Sequence, residues 1–340
     1  MSMTKIKNIK PLGFPWETKD PFLFCAYHKD DFPAGDEQMG MPKKEFIGRN
    51  IGQDFVIKDG FRMYHGRRVP GFPYHPHKGF ETITINKEGF VDHTDSLGGA
   101  GRFGEGDVQW MTAGKGILHS EMFPLIHQDK KNPLEIFQIW LNLPKVSKLV
   151  EPHFKMLWKD MIPVITETDD LGNKTFIDVI AGNYKGTQAP DTTPDSWAAN
   201  PANGVEVLTI KMEANATFTL PASTVKGVHK TLYFYQGDHL VIEENKIPKE
   251  SIIEVNPEEA ISIQNGSKEA FLLVLQGKPL NEPVVQYGPF VMNTDAEIQE
   301  AFHEYQTTQF GGWPWPEQEQ THAKEKGRFA IHIDGREEIK

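Results

Sequence analysis

The stretch Glu135-Ile-Phe-Gln-Ile-Trp-Leu-Asn-Leu143 decides the fold class. Phe137, Ile139, Leu141 and Leu143 fall on one side of an extended chain and Gln138 and Asn142 on the other, the period of a half-buried strand. Working outward, short apolar runs recur at 79–86, 205–212, 231–235, 251–255, 260–264 and 270–275, each bounded by Gly, Pro, Asn or charge. Thirty Gly and 24 Pro are spread over the 340 residues and separate these runs at spacings suited to all-β domains. Helical periodicity is scarce and clearest near the C-terminus. There Thr294 and Glu297 make a capping-box pattern, and Ile298, Ala301, Phe302 and Tyr305 fall at i, i+3, i+4 and i+7. This predicts a helix over 294–309 that stops before Gly311 and Gly312.

A chain of this length suggests about two domains, each able to bury its own core. The mixed, charged stretch 144–170 places the boundary near 160, giving domains 1–160 and 161–340, each a β-sandwich or barrel. The turn-rich loop 182–204 then belongs to the second. Both halves follow a loose plan of two strand groups around a Gly-containing turn, which suggests a duplicated domain.

Thirty-six Lys and Arg against 47 Asp and Glu give a net charge of -11, so the chain offers no electrostatic footprint for DNA, RNA or an anionic membrane. The single Cys25 excludes an intramolecular disulfide, a Cys-rich zinc site and an iron–sulfur cluster. The longest apolar run, 270–275, is far short of the ~20 residues of a membrane span, and the first residues carry no apolar signal core. The expectation is a soluble cytoplasmic protein.

The chemistry points to two short motifs, His75-Pro76-His77 and His119-Ser120-Glu121. On an extended segment residues i and i+2 point to the same side, so each motif can aim two donors at one point. Together they offer three imidazole nitrogens and one carboxylate, a set suited to Fe, Mn, Co, Ni, Cu or Zn and lacking the thiolates of a structural zinc site. An open catalytic metal site follows. Thirteen histidines make such a pair ordinary by chance, and spacing alone leaves a solvated strand face as the alternative reading. Gly79, Gly89, Gly98, Gly99, Gly101, Gly104, Gly106, Gly114 and Gly116 lie between and beside the motifs and permit tight turns between short strands.

The blocks 75–82 (HPHKGFET), 92–98 (DHTDSLG) and 106–121 (GDVQWMTAGKGILHSE) resemble the pirins, a branch of the cupin superfamily. The resemblance continues through 134–144 and 285–294 and includes the GGWPWP run at 311–316. It implies an all-β protein of two cupin barrels (double-stranded β-helix or jelly-roll) packed together, with a short C-terminal helix. It also implies one Fe(II) in the N-terminal domain, held by His75, His77, His119 and Glu121, with other divalent transition metals able to take the site. Glu81, four positions after the H-x-H pair, is a ligand in the broader superfamily and here falls to a supporting role. The C-terminal domain lacks the metal set, keeping only His229.

By the same resemblance the activity is that of a quercetin 2,3-dioxygenase acting on flavonol or other enol substrates, with Glu121 as ligand and catalytic base. A second implied class is an iron-dependent redox sensor that binds a transcription or metabolic partner without turnover. The partners are then a small-molecule substrate and dioxygen, or a regulatory protein, with no nucleic acid, no membrane and a monomeric chain. Glu81, Gln138 and His93 are polar groups able to orient the imidazoles. Trp110, Trp140, Phe72, Phe80 and Met111 either line a pocket or build the core.

Overall fold

Residues 5–340 are described in a computed structural model. The strands of the first part of the chain are β1 (Ile6–Pro11), β2 (Phe22–Phe32), β3 (Gly71–His77), β4 (Phe80–Glu88), β5 (Phe90–Asp95), β6 (Ala100–Gly104), β7 (Val108–Thr112), β8 (Ile117–Met122), β9 (Asn132–Asn142) and β10 (His153–Leu157). All of the opening stretch but Leu143 lies in β9, and the other runs read from the sequence also form strands. The charged segment 144–170 holds two more, β10 and Val164–Thr168. The C-terminal helix α1 spans Asp295–Thr308; Thr294 and Glu297 close a reciprocal capping box at its start, and Gln309 in the left-handed region ends it.

The chain forms two compact units, each dominated by antiparallel sheet in a cupin-like arrangement, and neither is contiguous in sequence. One holds the chain up to Cys25 together with Asp160–Asn281, the other Ala26–Lys159 together with Glu282–Lys340. A division near 160 is therefore present, but domains of 1–160 and 161–340 are corrected at both ends. β1 pairs with Ser251–Val255, so the N-terminal segment extends the sheet of the later unit. In the other direction, Phe329–Ile331 pairs with β6, so the C-terminal segment extends a sheet of the earlier one. Contiguous domains fail because edge strands recruit any chain that satisfies their free backbone groups, however distant in sequence.

In the earlier unit a five-stranded sheet runs β10-β7-β4-β9-β2, and a six-stranded sheet runs Glu337–Ile339, Phe329–Ile331, β6, β5, β8, β3. Ile136, Met111 and Met156 from the first pack with Val91, Phe103 and Ile117 from the second in one apolar cluster. The later unit has a seven-stranded and a four-stranded sheet, and residues from both, among them Ile210, Leu232, Leu240 and Ile263, share one core.

β9 is read differently by the structure than by its apolar periodicity. Its interior face carries Ile136, Gln138 and Trp140: Ile136 joins the core, Gln138 reaches Glu121 and Trp140 packs on His77. Phe137, Ile139 and Leu141 are wholly buried on the opposite face. The polar side of this strand is thus turned toward the histidines and not toward water.

Candidate metal centre

The two histidine motifs meet because β3 and β8 are antiparallel neighbours, with His75 opposite His119 and His77 opposite Ile117. A register shift between Phe72 and His75 re-aims the end of β3, as bulges beside functional sites do. Pro76 between the two histidines fixes φ in the extended range and removes a backbone donor. The chain then turns sharply at Gly79, whose φ of +86° and close approach to the Val291 carbonyl leave no room for a Cβ.

The ring centroids of His75 and His119 are 4.5 Å apart, those of His77 and His119 4.9 Å and those of His75 and His77 4.8 Å. One ligand atom from each ring lies within 4.8 Å of the other two. His75 Nδ1 donates to the Pro73 carbonyl at 2.9 Å, which fixes its tautomer and leaves the Nε2 lone pair facing His77 Nε2 at 3.1 Å. His119 is fully buried, and neither of its ring nitrogens has a hydrogen-bond partner.

Burial lowers the pKa of His75 to about 4 and holds His77 and His119 well below the usual imidazole range. Mutual repulsion adds to this, with His65 and His93 acting on His75. All three rings are therefore neutral at pH 7, the form a metal ligand requires. An unpaired imidazole sealed from water is costly unless something takes its lone pair. The donor set and the orphaned nitrogens fit a divalent metal held by His75, His77 and His119.

Glu121 stands beside this cluster, opposite Phe72 on β3 and His93 on β5. Its carboxylate lies 3.8 Å from His119 Nε2. The facing sheet holds it: Gln138 Nε2 donates to Oε2 at 2.7 Å, and Thr84 Oγ1 lies 3.0 Å from Oε1. Thr84 Oγ1 is also 2.5 Å from Gln138 Oε1, and its single proton can serve only one acceptor at a time. Burial raises the Glu121 pKa, while charge on His93 and the two hydrogen bonds pull it down.

Of the supporting residues read from the sequence, Gln138 touches Glu121 directly. His93 bonds Asp95 at 3.2 Å, with its ring 5.7 Å from that of His119. Glu81 is buried and accepts from Thr112 Oγ1 at 2.7 Å. Phe72, Phe80 and Trp140 flank the histidines, whereas Trp110 and Met111 are wholly buried. His229, in the other unit, is exposed and bonds the Asp20 carbonyl.

Thr84 and the C-terminal segment were not legible as site residues. Asp92 on β5 pairs with Arg102 on β6, and the same guanidinium binds the carbonyls of His322, Ala323 and Lys324. Trp315 Nε1 donates to the Asp95 carbonyl, and Glu319 accepts backbone N–H bonds from Arg67, Arg68 and Val69. These bonds fasten the tail to the segments that carry and precede the ligands.

Facing antiparallel sheets with three converging neutral imidazoles define a cupin-type protein equipped to bind a metal. Residues 45–141 match the model of the pirin family, and residues 207–311 that of the pirin C-terminal cupin domain. The chain is 37% identical over 246 residues to Pirin-1 of Arabidopsis thaliana, covering 71% of this chain and 78% of that one. It is 32% identical over 286 residues to human pirin, covering 81% and 90%. A crystal structure of a quercetin 2,3-dioxygenase from Acinetobacter baumannii is similar with a TM-score of 0.70 and 29% identity, covering 92% of this chain and 99% of that one. The chain belongs to the pirin family of the cupin superfamily. Among the described residues no helix is long and apolar enough to cross a membrane.

Proposed function

We propose that this protein is an iron-dependent oxygenase of the quercetin 2,3-dioxygenase type, acting with dioxygen on flavonol or other enol substrates. The observation that carries the reading is the cluster of three neutral imidazoles beside a buried carboxylate held by the facing sheet. The similarity to the Acinetobacter baumannii quercetin 2,3-dioxygenase supports it. In this reading each unit closes as a cupin barrel and the chain works as a monomer.

Fe(II), when bound by His75, His77, His119 and Glu121, supplies Lewis-acid and one-electron redox chemistry. The rest is done by the chain. The three imidazoles are neutral, each with one nitrogen lone pair to give, so no charge repulsion opposes a cation. Glu121 accepts the enol proton at a carboxylate oxygen, and its raised pKa brings it closer to the range in which a general base works near neutrality. Gln138 and Thr84 fix the direction of that carboxylate. Phe80 and Trp140, 4.0 Å apart and both against His77, keep water from one side of the cluster.

The test is Glu121→Gln in protein reconstituted with Fe(II) without air. The variant keeps metal on its three histidines and loses quercetin turnover. Unchanged turnover removes Glu121 from the base role. A wild type that holds iron and consumes no flavonol favours the redox-sensing class.

A further inference from the structure

Between α1 and Phe329–Ile331 the chain runs through residues 311–327 without one buried residue. It is held at both ends, by Ile298 and Ala301 of α1 and by Phe329 and Ala330, all of them buried. In between it leans on β3, the last strand of the six-stranded sheet. The Tyr74 N–H donates to the Gln318 carbonyl at 3.1 Å, and the Trp313 ring stacks on Tyr74 with centroids 4.9 Å apart. A strap fastened by exposed polar bonds, with no buried apolar contacts of its own, belongs to the low-stability end of a fold.

Its firmest tie is a carboxylate. Glu319 Oε1 accepts the Arg67 N–H at 2.7 Å, and Oε2 accepts those of Arg68 and Val69 at 3.0 and 3.1 Å. Three successive backbone donors turned to one point make a nest for an anion. Gly66 makes this turn possible, because a Cβ there would stand 1.9 Å from the Val69 carbonyl oxygen. The Met41 N–H, donating to the Arg68 carbonyl at 2.7 Å, braces the loop.

The nest offers more than one carboxylate uses. Arg67 and Arg68 are both exposed, and Arg68 Nη1 bonds the carbonyl and side-chain oxygens of Gln38. Among the described residues no carboxylate, Glu319 included, stands at ion-pair distance from either guanidinium. A chain with 47 Asp and Glu has thus left two cations uncompensated beside three converging N–H groups. A phosphate group matches that surplus: at neutral pH it carries about two negative charges and at least three acceptor oxygens, and guanidinium groups grip it bidentately.

We propose that residues 67–69, with the Arg67 and Arg68 side chains, are a binding site for a phosphate group, free or as the monoester of a small molecule, and that Glu319 is its intramolecular occupant. Phosphate and Glu319 compete for the same three N–H groups. Because Glu319 is tethered at high effective concentration, it weakens the apparent affinity for phosphate, and bound phosphate in turn lifts the strap from the edge of β3. The site thereby couples an anion to the strand that carries His75.

The experiment combines calorimetric titration with hydrogen-exchange mass spectrometry over residues 65–71. The full-length proteins are wild type, Glu319→Ala, and Glu319→Ala with Arg67→Ser and Arg68→Ser. The probes are inorganic phosphate and phenyl phosphate, against chloride at equal ionic strength. Glu319→Ala exchanges faster than wild type over 65–71, and phosphate, but not chloride, restores its protection. Its dissociation constant for phosphate is about tenfold below that of wild type, and loss of both arginines raises it about tenfold again. In wild type, phosphate shifts the tryptophan emission toward that of Glu319→Ala, and Trp313→Phe abolishes the shift. The tighter of the two probes tells a free anion from a monoester, and either supports the site. Equal affinities in all proteins put the phosphate elsewhere, on the metal or the general surface, and overturn the proposal. It is equally overturned if exchange over 65–71 is unchanged in Glu319→Ala, or if phosphate fails to restore protection there. No readout uses turnover, so the result stands apart from the oxygenase reading.

Discussion

His75 and His119 stand directly opposite each other on adjacent antiparallel strands, with ring centroids 4.5 Å apart. Cross-strand pairing therefore assembles the cluster, and residues 44 positions apart become neighbours through register alone. The same pairing sets Glu121 opposite Phe72, so its carboxylate stands beside the histidines on the same sheet.

His119→Ala removes the ring with no hydrogen-bond partner of its own. The expected outcome is loss of most bound metal with the sheets intact, because the core between them is built from other residues. Metal analysis and thermal unfolding of the metal-free proteins check this. An unfolded variant makes the site a structural one.

Gln138→Leu leaves Glu121 without its 2.7 Å donor while keeping the volume of the side chain. Groups that orient ligands are worth about 10- to 100-fold in metal affinity or activity, and a loss in that range is expected here. Titration with Fe(II) together with steady-state turnover measures it, and wild-type values in both show that Gln138 is a passive face residue.

Arg102→Leu strips the counter-ion from Asp92 in a pair that is almost completely buried. Removing one partner of such a pair costs about 3–5 kcal/mol, because the remaining charge is left unpaired. The same change frees the tail carbonyls of residues 322–324. Urea denaturation gives the figure, and a loss below about 1 kcal/mol shows that the pair contributes little.

Metal-free protein loses stability in acid from its buried histidines. Burial lowers His28 to about 3 and His75 to about 4, against about 6.5 in an unfolded chain. Between those values the unfolded chain binds more protons. The contribution of these rings is thus complete above pH 6.5 and lost as pH falls through about 4 and then about 3. His77 and His119 act in the same direction, and Glu121, raised by burial, acts in the opposite one. Urea midpoints at pH 7, 5 and 4 should fall in that order, and a flat profile contradicts the burial argument.

The fold class, the helix cap at Thr294 and the His75, His77 and His119 cluster were legible in the sequence, because each depends on a period or spacing that local geometry enforces. The face of β9 was not. Apolar alternation identifies a strand but not which side meets the core, and here the interior carries polar groups to serve Glu121. Thr84 stayed hidden for the same reason, since a threonine on a strand is ordinary until the facing sheet is known. The exchange of chain ends between units depends on edge pairing, such as β1 with Ser251–Val255, which no local pattern announces.

The most direct test of the central claim is dioxygen uptake by protein loaded anaerobically with Fe(II) and given quercetin, run beside His119→Ala. The oxygenase account predicts uptake that matches quercetin loss mole for mole in wild type and falls to background in the variant. Wild-type protein with iron confirmed in place that takes up no dioxygen, or uptake that is the same in His119→Ala, contradicts it.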